Sequence, residues 1–128
     1  MNRRSILLAA LSTPLLSLPA LSATPLMTVA KSPTCGCCSA WIEHIRANGI
    51  EVDMRNVSQD ELWALKTQLG ISSDLASCHT AQIDGYFVEG HVPAADIHRI
   101  LTERPDALGL TVPGMPMGSP GMEAGGEV

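Results

Sequence analysis

Leu26-Met27-Thr28-Val29-Ala30-Lys31-Ser32-Pro33-Thr34-Cys35-Gly36-Cys37-Cys38-Ser39-Ala40-Trp41-Ile42 is the stretch on which the reading of this chain turns. Leu26 to Ala30 is a short apolar run with the character of a buried strand. Lys31 to Thr34 breaks it and leads into three cysteines within four residues. From Cys38 to Asn48, Trp41, Ile42 and Ile45 recur at helical spacing, and Gly49 is a natural stop after the last turn. A strand that feeds a helix through a cysteine-bearing loop is the opening half of an α/β unit.

The remaining elements follow in turn. Ile50 to Met54 alternates as a second strand. Ser58-Gln59-Asp60-Glu61 has the capping-box pattern, and the helix behind it carries Leu62, Leu65 and Leu69 on one face before Gly70. Ala81 to Ile83 and Tyr86 to Glu89 are two short strands about an Asp84-Gly85 hairpin turn. Pro93 then opens a final amphipathic helix, Ala94 to Leu101, which ends near Pro105. The order β-α-β-α-β-β-α, with cysteines at the mouth of the first helix, is thioredoxin-like. The tail from Gly109 to Val128 is rich in Gly and Pro, so no regular element is expected there. It holds Met115, Met117 and Met122.

Three thiols so close together suit disulfide exchange, or capture of a soft ion that bridging thiolates share. At the start of a helix, free N–H groups and the dipole favour negative charge, which populates the thiolates. The fourth cysteine, Cys78, stands in Ala76-Ser77-Cys78-His79. In the thioredoxin-like order this loop enters the third strand beside the first three cysteines, so all four sulfurs are expected to meet. Cys-x-Cys-Cys is the wrong spacing for three corners of a zinc tetrahedron. Copper(I) accepts two or three thiolates, shares bridging ones in a cluster, and also takes thioether sulfur. The tail methionines are then either a sulfur-bearing lid or an idle tail. His79 is open to three roles: outer ligand, tuner of a thiolate, or a side chain pointing away. His91 follows Gly90, which suggests a close backbone approach or a bulge. His44 and His98 are expected in solvent, and Trp41 and Trp63 in the core.

The first residues, Met1-Asn2-Arg3-Arg4, an apolar run from Ile6 to Leu21 and Ser22-Ala23, make a secretory signal peptide with cleavage near Ala23. Pro14 and Pro19 and the short span argue against a membrane anchor, which needs ~20 apolar residues. Arg3-Arg4 also resembles a twin-arginine signal, so the export route stays open. Three segments result: 1–23 signal peptide, 24–108 thioredoxin-like domain, and 109–128 extension. Without the leader, six basic residues face 13 acids, a formal charge of −7 against −5 for the whole chain. Nothing basic is left to hold a phosphate backbone, which sets nucleic acid aside. Export permits disulfides. A purely structural framework is the poorer account, because any two pairs must use at least two members of the crowded trio.

Lys31 to Cys38, Ser77 to Ala81, Tyr86 to Pro93 and Gly109 to Pro116 together resemble the CopG-like periplasmic copper-resistance family with its Cys-x-Cys-Cys signature. The resemblance spans essentially the whole mature chain. It implies a thioredoxin domain whose C-terminal extension contributes to metal binding, and a cysteine-bridged multinuclear copper cluster. Carried over by position, the sulfurs are Cys35, Cys37, Cys38 and Cys78. Met115 and Met117 would serve from the tail, with Met122 as a further candidate; His79 is a further candidate from its place beside Cys78 alone. The implied role is periplasmic copper resistance: interconverting copper(I) and copper(II), or coupling thiol oxidation to copper handling, in support of an efflux system. A monomer without membrane insertion is expected. Two other readings stay open from the residues alone: a metal-free thiol–disulfide oxidoreductase, and a passive copper store or chaperone.

Overall fold

The computed structural model of the protein describes residues 14, 16–18 and 25–123. The signal peptide expected over residues 1–23, with its cleavage site, falls outside these residues apart from those four positions. So do the last five residues of the tail.

Strand β1 (Met27–Lys31) runs into helix α1 (Gly36–Ala47), and Gly49 at φ 83° turns the chain back to strand β2 (Val52–Asn56). β2 lies parallel to β1, with Met27 opposite Val52 and Lys31 opposite Asn56. Helix α2 (Gln59–Gln68) opens on the capping box read from the sequence. Ser58 Oγ accepts the Glu61 N–H at 3.2 Å, and Glu61 Oε2 accepts the Ser58 N–H at 3.0 Å. Strands β3 (Thr80–Ile83) and β4 (Tyr86–Glu89) form the expected hairpin, with Asp84 and Gly85 both at positive φ, as a two-residue turn of this hand requires. Helix α3 (Ala94–Glu103) follows Pro93.

Strand β5 (Gly109–Thr111) corrects the expectation of a wholly irregular tail: it pairs parallel to β4, with Phe87 opposite Gly109 and Glu89 opposite Thr111. A glycine at 109 suits this close approach, because an added Cβ would meet the Phe87 ring carbons at 2.7 Å. The sheet order is β2-β1-β3-β4-β5, with β1 antiparallel to β3. The architecture is thioredoxin-like α/β.

α1 and α3 cover one face of the sheet. Trp41, Ile42, Ile45, Ala94 and Ile97 pack there on Met27, Val29, Ala81, Ile83 and Val88. Burying each such large side chain contributes roughly 1.5–3 kcal/mol. α2 covers the other face, with Leu62 and Leu65 on Ala30 and Val57. Trp41 is core as expected, and its indole N–H donates to the Val92 carbonyl at 2.8 Å. Trp63 is not: it stands 48% exposed, because the inward positions of α2 are Leu62 and Lys66, four residues apart. His44 also departs from expectation. It is half-buried, and its Nε2 accepts the Ala94 N–H at 3.1 Å, holding the first turn of α3. His98 is exposed as expected. No helix among the described residues is long and apolar enough to cross a membrane.

Candidate metal centre

Everything that carries chemistry collects at the end of the sheet where β1 and β4 finish. The Cys35 N–H donates to the Ser32 carbonyl at 3.2 Å, closing the turn that delivers Cys35 to the N-cap of α1. Its side chain caps nothing, and the first turn of α1 holds no acid, so the unpaired amides of that turn face the cysteines. Cys35 and Cys38 form a disulfide, leaving Cys37 and Cys78 as the free thiols. Cys35-Gly36-Cys37-Cys38 is thus also a Cys-x-x-Cys pair with a third cysteine inside it.

Cys78 joins the trio: one sulfur from each of Cys35, Cys37, Cys38 and Cys78 lies within 4.8 Å of the others. Cys35 and Cys37 sulfurs are 3.5 Å apart. The loop carrying Cys78 is stitched on both sides. The Ser77 N–H donates to Glu89 Oε1 at 2.8 Å, the Gly90 N–H donates to the His79 carbonyl at 3.1 Å, and Ser77 Oγ donates to the Gly114 carbonyl. Gly90 sits at φ 77°, and a Cβ there would strike Ser77 Cβ at 2.6 Å, so the close approach read from this glycine is real.

Two histidines complete the site. The ligand atoms of Cys78, His79 and His91 lie within 4.8 Å of one another. The carbonyl of Pro120, 2.7 Å from His91 Nδ1, can only accept, so Nδ1 carries a proton, and Nε2 lies 3.1 Å from Cys78 Sγ, toward which it presents a lone pair in the neutral ring. His79 is fully buried between the Trp41 and His91 rings, 4.3 and 5.1 Å away between centroids, and its Nε2 has no hydrogen-bond partner among the described residues. Burial, then the His91 charge, lowers its pKa to about 3, so the ring stays neutral. Burial also pushes the Cys78 thiol up to about 11, with Cys37 adding to the rise and a Ser77 hydrogen bond opposing it. His91 was not among the site residues drawn from the sequence. Its only sequence signal was the neighbouring Gly90.

The tail arrives from β5. The Gly114 N–H donates to the Ala76 carbonyl at 3.2 Å, and Met115 Sδ accepts from Cys37 Sγ at 3.8 Å. Met117 is 67% exposed, and Met122 is half-buried, its carbonyl accepting the Gly118 N–H at 3.0 Å. Gly121, at φ 88°, passes so close to α1 that a Cβ would meet the Cys37 carbonyl oxygen at 2.8 Å and the Trp41 nitrogen at 2.9 Å. A groove of about 430 Å³ opens onto the cysteines, walled by Leu62, Trp63, Lys66 and Met115. With the Cys35–Cys38 bond opened, four cysteine sulfurs, a thioether and the His79 Nδ1, 3.4 Å from Cys78 Sγ, make a donor set that fits a soft, thiophilic cation.

Residues 75–122, from just before Cys78 to Met122, match a family described as "Protein of unknown function, DUF411". No curated protein matches the chain. Among solved structures, "Copper resistance protein copG- Form 2" is 51% identical, covering 81% of this chain and 82% of that one, with a TM-score of 0.73. "Copper resistance protein copG- Form 1" is 49% identical, covering 81% of each, at the same TM-score. The chain belongs to the CopG family. The family resemblance read from Lys31–Cys38, Cys78 and the Met115 segment is therefore correct, and it falls on the residues that the fold gathers here.

Proposed function

We propose that this member of the CopG family is an exported copper-binding protein of copper resistance that holds copper(I) at Cys35, Cys37, Cys38 and Cys78. The observation that carries the reading is the convergence of Cys78 on the other three sulfurs. Met115 adds a thioether beside Cys37, Met117 and Met122 belong to the same segment, and His79 and His91 supply imidazole nitrogen around Cys78. The extension of residues 109–128 works as part of the site and residues 24–108 as its scaffold. Several thiolates within bridging distance suit more than one ion.

The disulfide gives the site a second state and supports a redox role. Opening Cys35–Cys38 to two thiolates takes two electrons, which two copper(I) ions supply on becoming copper(II). The reverse closes the bond. Export, service to an efflux system and action as a monomer complete the reading. The deciding experiment is anaerobic titration of the fully reduced protein with copper(I) against a competing chelator. Saturation above one ion per chain, reduced by Cys78→Ser, is the expected result. Saturation at one ion or fewer with no change in Cys78→Ser would overturn it.

The Cys35–Cys38 pair at a helix start also favours a metal-free thiol–disulfide oxidoreductase. Insulin reduction separates the two readings: brisk turnover by metal-free protein, merely inhibited by copper, selects this one.

A further inference from the structure

The chain has two lysines, and both are buried: Lys31 is 3% exposed and Lys66 2%. Lysine is almost never fully buried unless paired. Lys66 meets that rule through an ion pair with Glu89. Lys31 does not. Among the described residues its ammonium has no carboxylate, and it donates only to two neutral oxygens, the Ser32 carbonyl at 2.9 Å and Asn56 Oδ1 at 3.3 Å. A buried charge without an anion is costly, so something at this spot must offset it.

The candidate anion is close. The Ser32 carbonyl that accepts from Lys31 at 2.9 Å also accepts the Cys35 N–H at 3.2 Å. Those two bonds place the ammonium within about 6 Å of the Cys35 backbone nitrogen. His79, next to Cys78, lies within the influence of both lysine charges. With the Cys35–Cys38 bond closed, the turn that the ammonium holds through the Ser32 carbonyl carries a neutral disulfide. Opening that bond adds up to two negative charges to this turn, and a buried ammonium feels them with less screening than an exposed one would.

We propose that Lys31 is the counter-charge of the cysteine cluster and favours its opened, thiolate state over the Cys35–Cys38 disulfide. The proposal deepens the copper reading, on which its biological sense rests, because a thiolate-rich site is also the copper(I)-binding one. It is tested without metal, so the two can fail separately. With glutathione as reductant, two glutathione thiols join in one disulfide and the Cys35–Cys38 bond breaks. The two electrons pass to Cys35 and Cys38 as thiolates, and the two protons go to water.

Chelator-treated protein is equilibrated anaerobically in glutathione redox buffers at neutral pH, and alkylation mass shifts give the reduced fraction. Lys31→Met is expected to lower the equilibrium constant for reduction at least about tenfold, which is about 30 mV for two electrons. Lys31→Arg, which keeps the charge, stays within about threefold of the parent. Asn56→Asp leaves the lysine in place but gives it a carboxylate, and shifts the equilibrium in the same direction as Lys31→Met. Circular dichroism checks that each variant folds, and Asn56→Asp decides alone should Lys31→Met not fold. The proposal is overturned if every folded variant of the neutralising pair stays within about twofold of the parent, or if Lys31→Arg falls as far as Lys31→Met.

Discussion

Replacing Lys66 with methionine tests the physical device that holds the Cys78 loop. Methionine keeps most of the lysine's apolar stem but removes the ammonium that bonds Glu89 and the Thr80 hydroxyl, the latter at 2.8 Å. Glu89, fully buried, would keep only the Thr80 hydroxyl at 2.7 Å and the Ser77 N–H at 2.8 Å. Stranding one member of a buried pair costs about 3–5 kcal/mol, and the two surviving hydrogen bonds place this site near about 3. Neutralising the survivor in Lys66→Met/Glu89→Gln removes the stranded charge and should recover about 2 kcal/mol of that loss. The assay is urea unfolding of metal-free protein with the disulfide intact. With a slope near about 1.5 kcal/mol/M, the single variant should lower the midpoint by about 2 M, and the double variant by about 0.7 M. A single variant that loses less than about 1 kcal/mol, or a double variant no more stable than the single, would show that this pair does not govern the loop's anchorage.

Gly121→Ala should lift the tail from α1, since its Cβ meets backbone atoms of Cys37 and Trp41 and its φ costs an L-residue about 1–2 kcal/mol. Faster alkylation of Cys78 with little change in unfolding midpoint is expected, and an unchanged rate would refute it. In the disulfide form, the pH profile for alkylation of Cys78, read by peptide mapping, should be centred near 11 rather than at the usual 9.0. Because the folded pKa is raised, its contribution to stability is whole below the ordinary value and is lost as pH climbs from there toward 11. A profile centred at the ordinary value would mean that the thiol is not desolvated. His79 runs the other way. Its pKa falls from 6.5 to about 3, so the unfolded chain takes up a proton that the folded one refuses. Stability should decline as pH drops from 6.5 toward 3, and His79→Asn should flatten that decline; an equal slope in the variant excludes His79 as its source.

The elements were legible because each carried a local signal. The capping box at Ser58–Glu61, the Asp84-Gly85 turn and the apolar spacing of Trp41, Ile42 and Ile45 are all satisfied within a few residues of themselves. β5 was not legible. Gly109–Thr111 becomes a strand only because β4 offers it an open edge, and a three-residue segment cannot announce that. Trp63 was misjudged for a related reason. Hydropathy alone puts tryptophan inside and lysine outside. The tertiary partner of Lys66 is Glu89, 23 residues away in sequence, and it reverses the order.

The cysteine-rich loop, its place at a helix start and the soft-donor character of the tail were written in the sequence, because residue type and short spacing set that chemistry. Only the folded chain decided that Cys35 pairs with Cys38, that His91 turns its Nε2 on Cys78, and that Lys31 is buried without a carboxylate partner among the described residues. The first depends on the turn that sets Cys35 at the N-cap of α1, three residues before Cys38, and the other two on distances between segments that are remote along the chain. Such distances are fixed by the sheet's strand order and packing, which no local pattern of residues records.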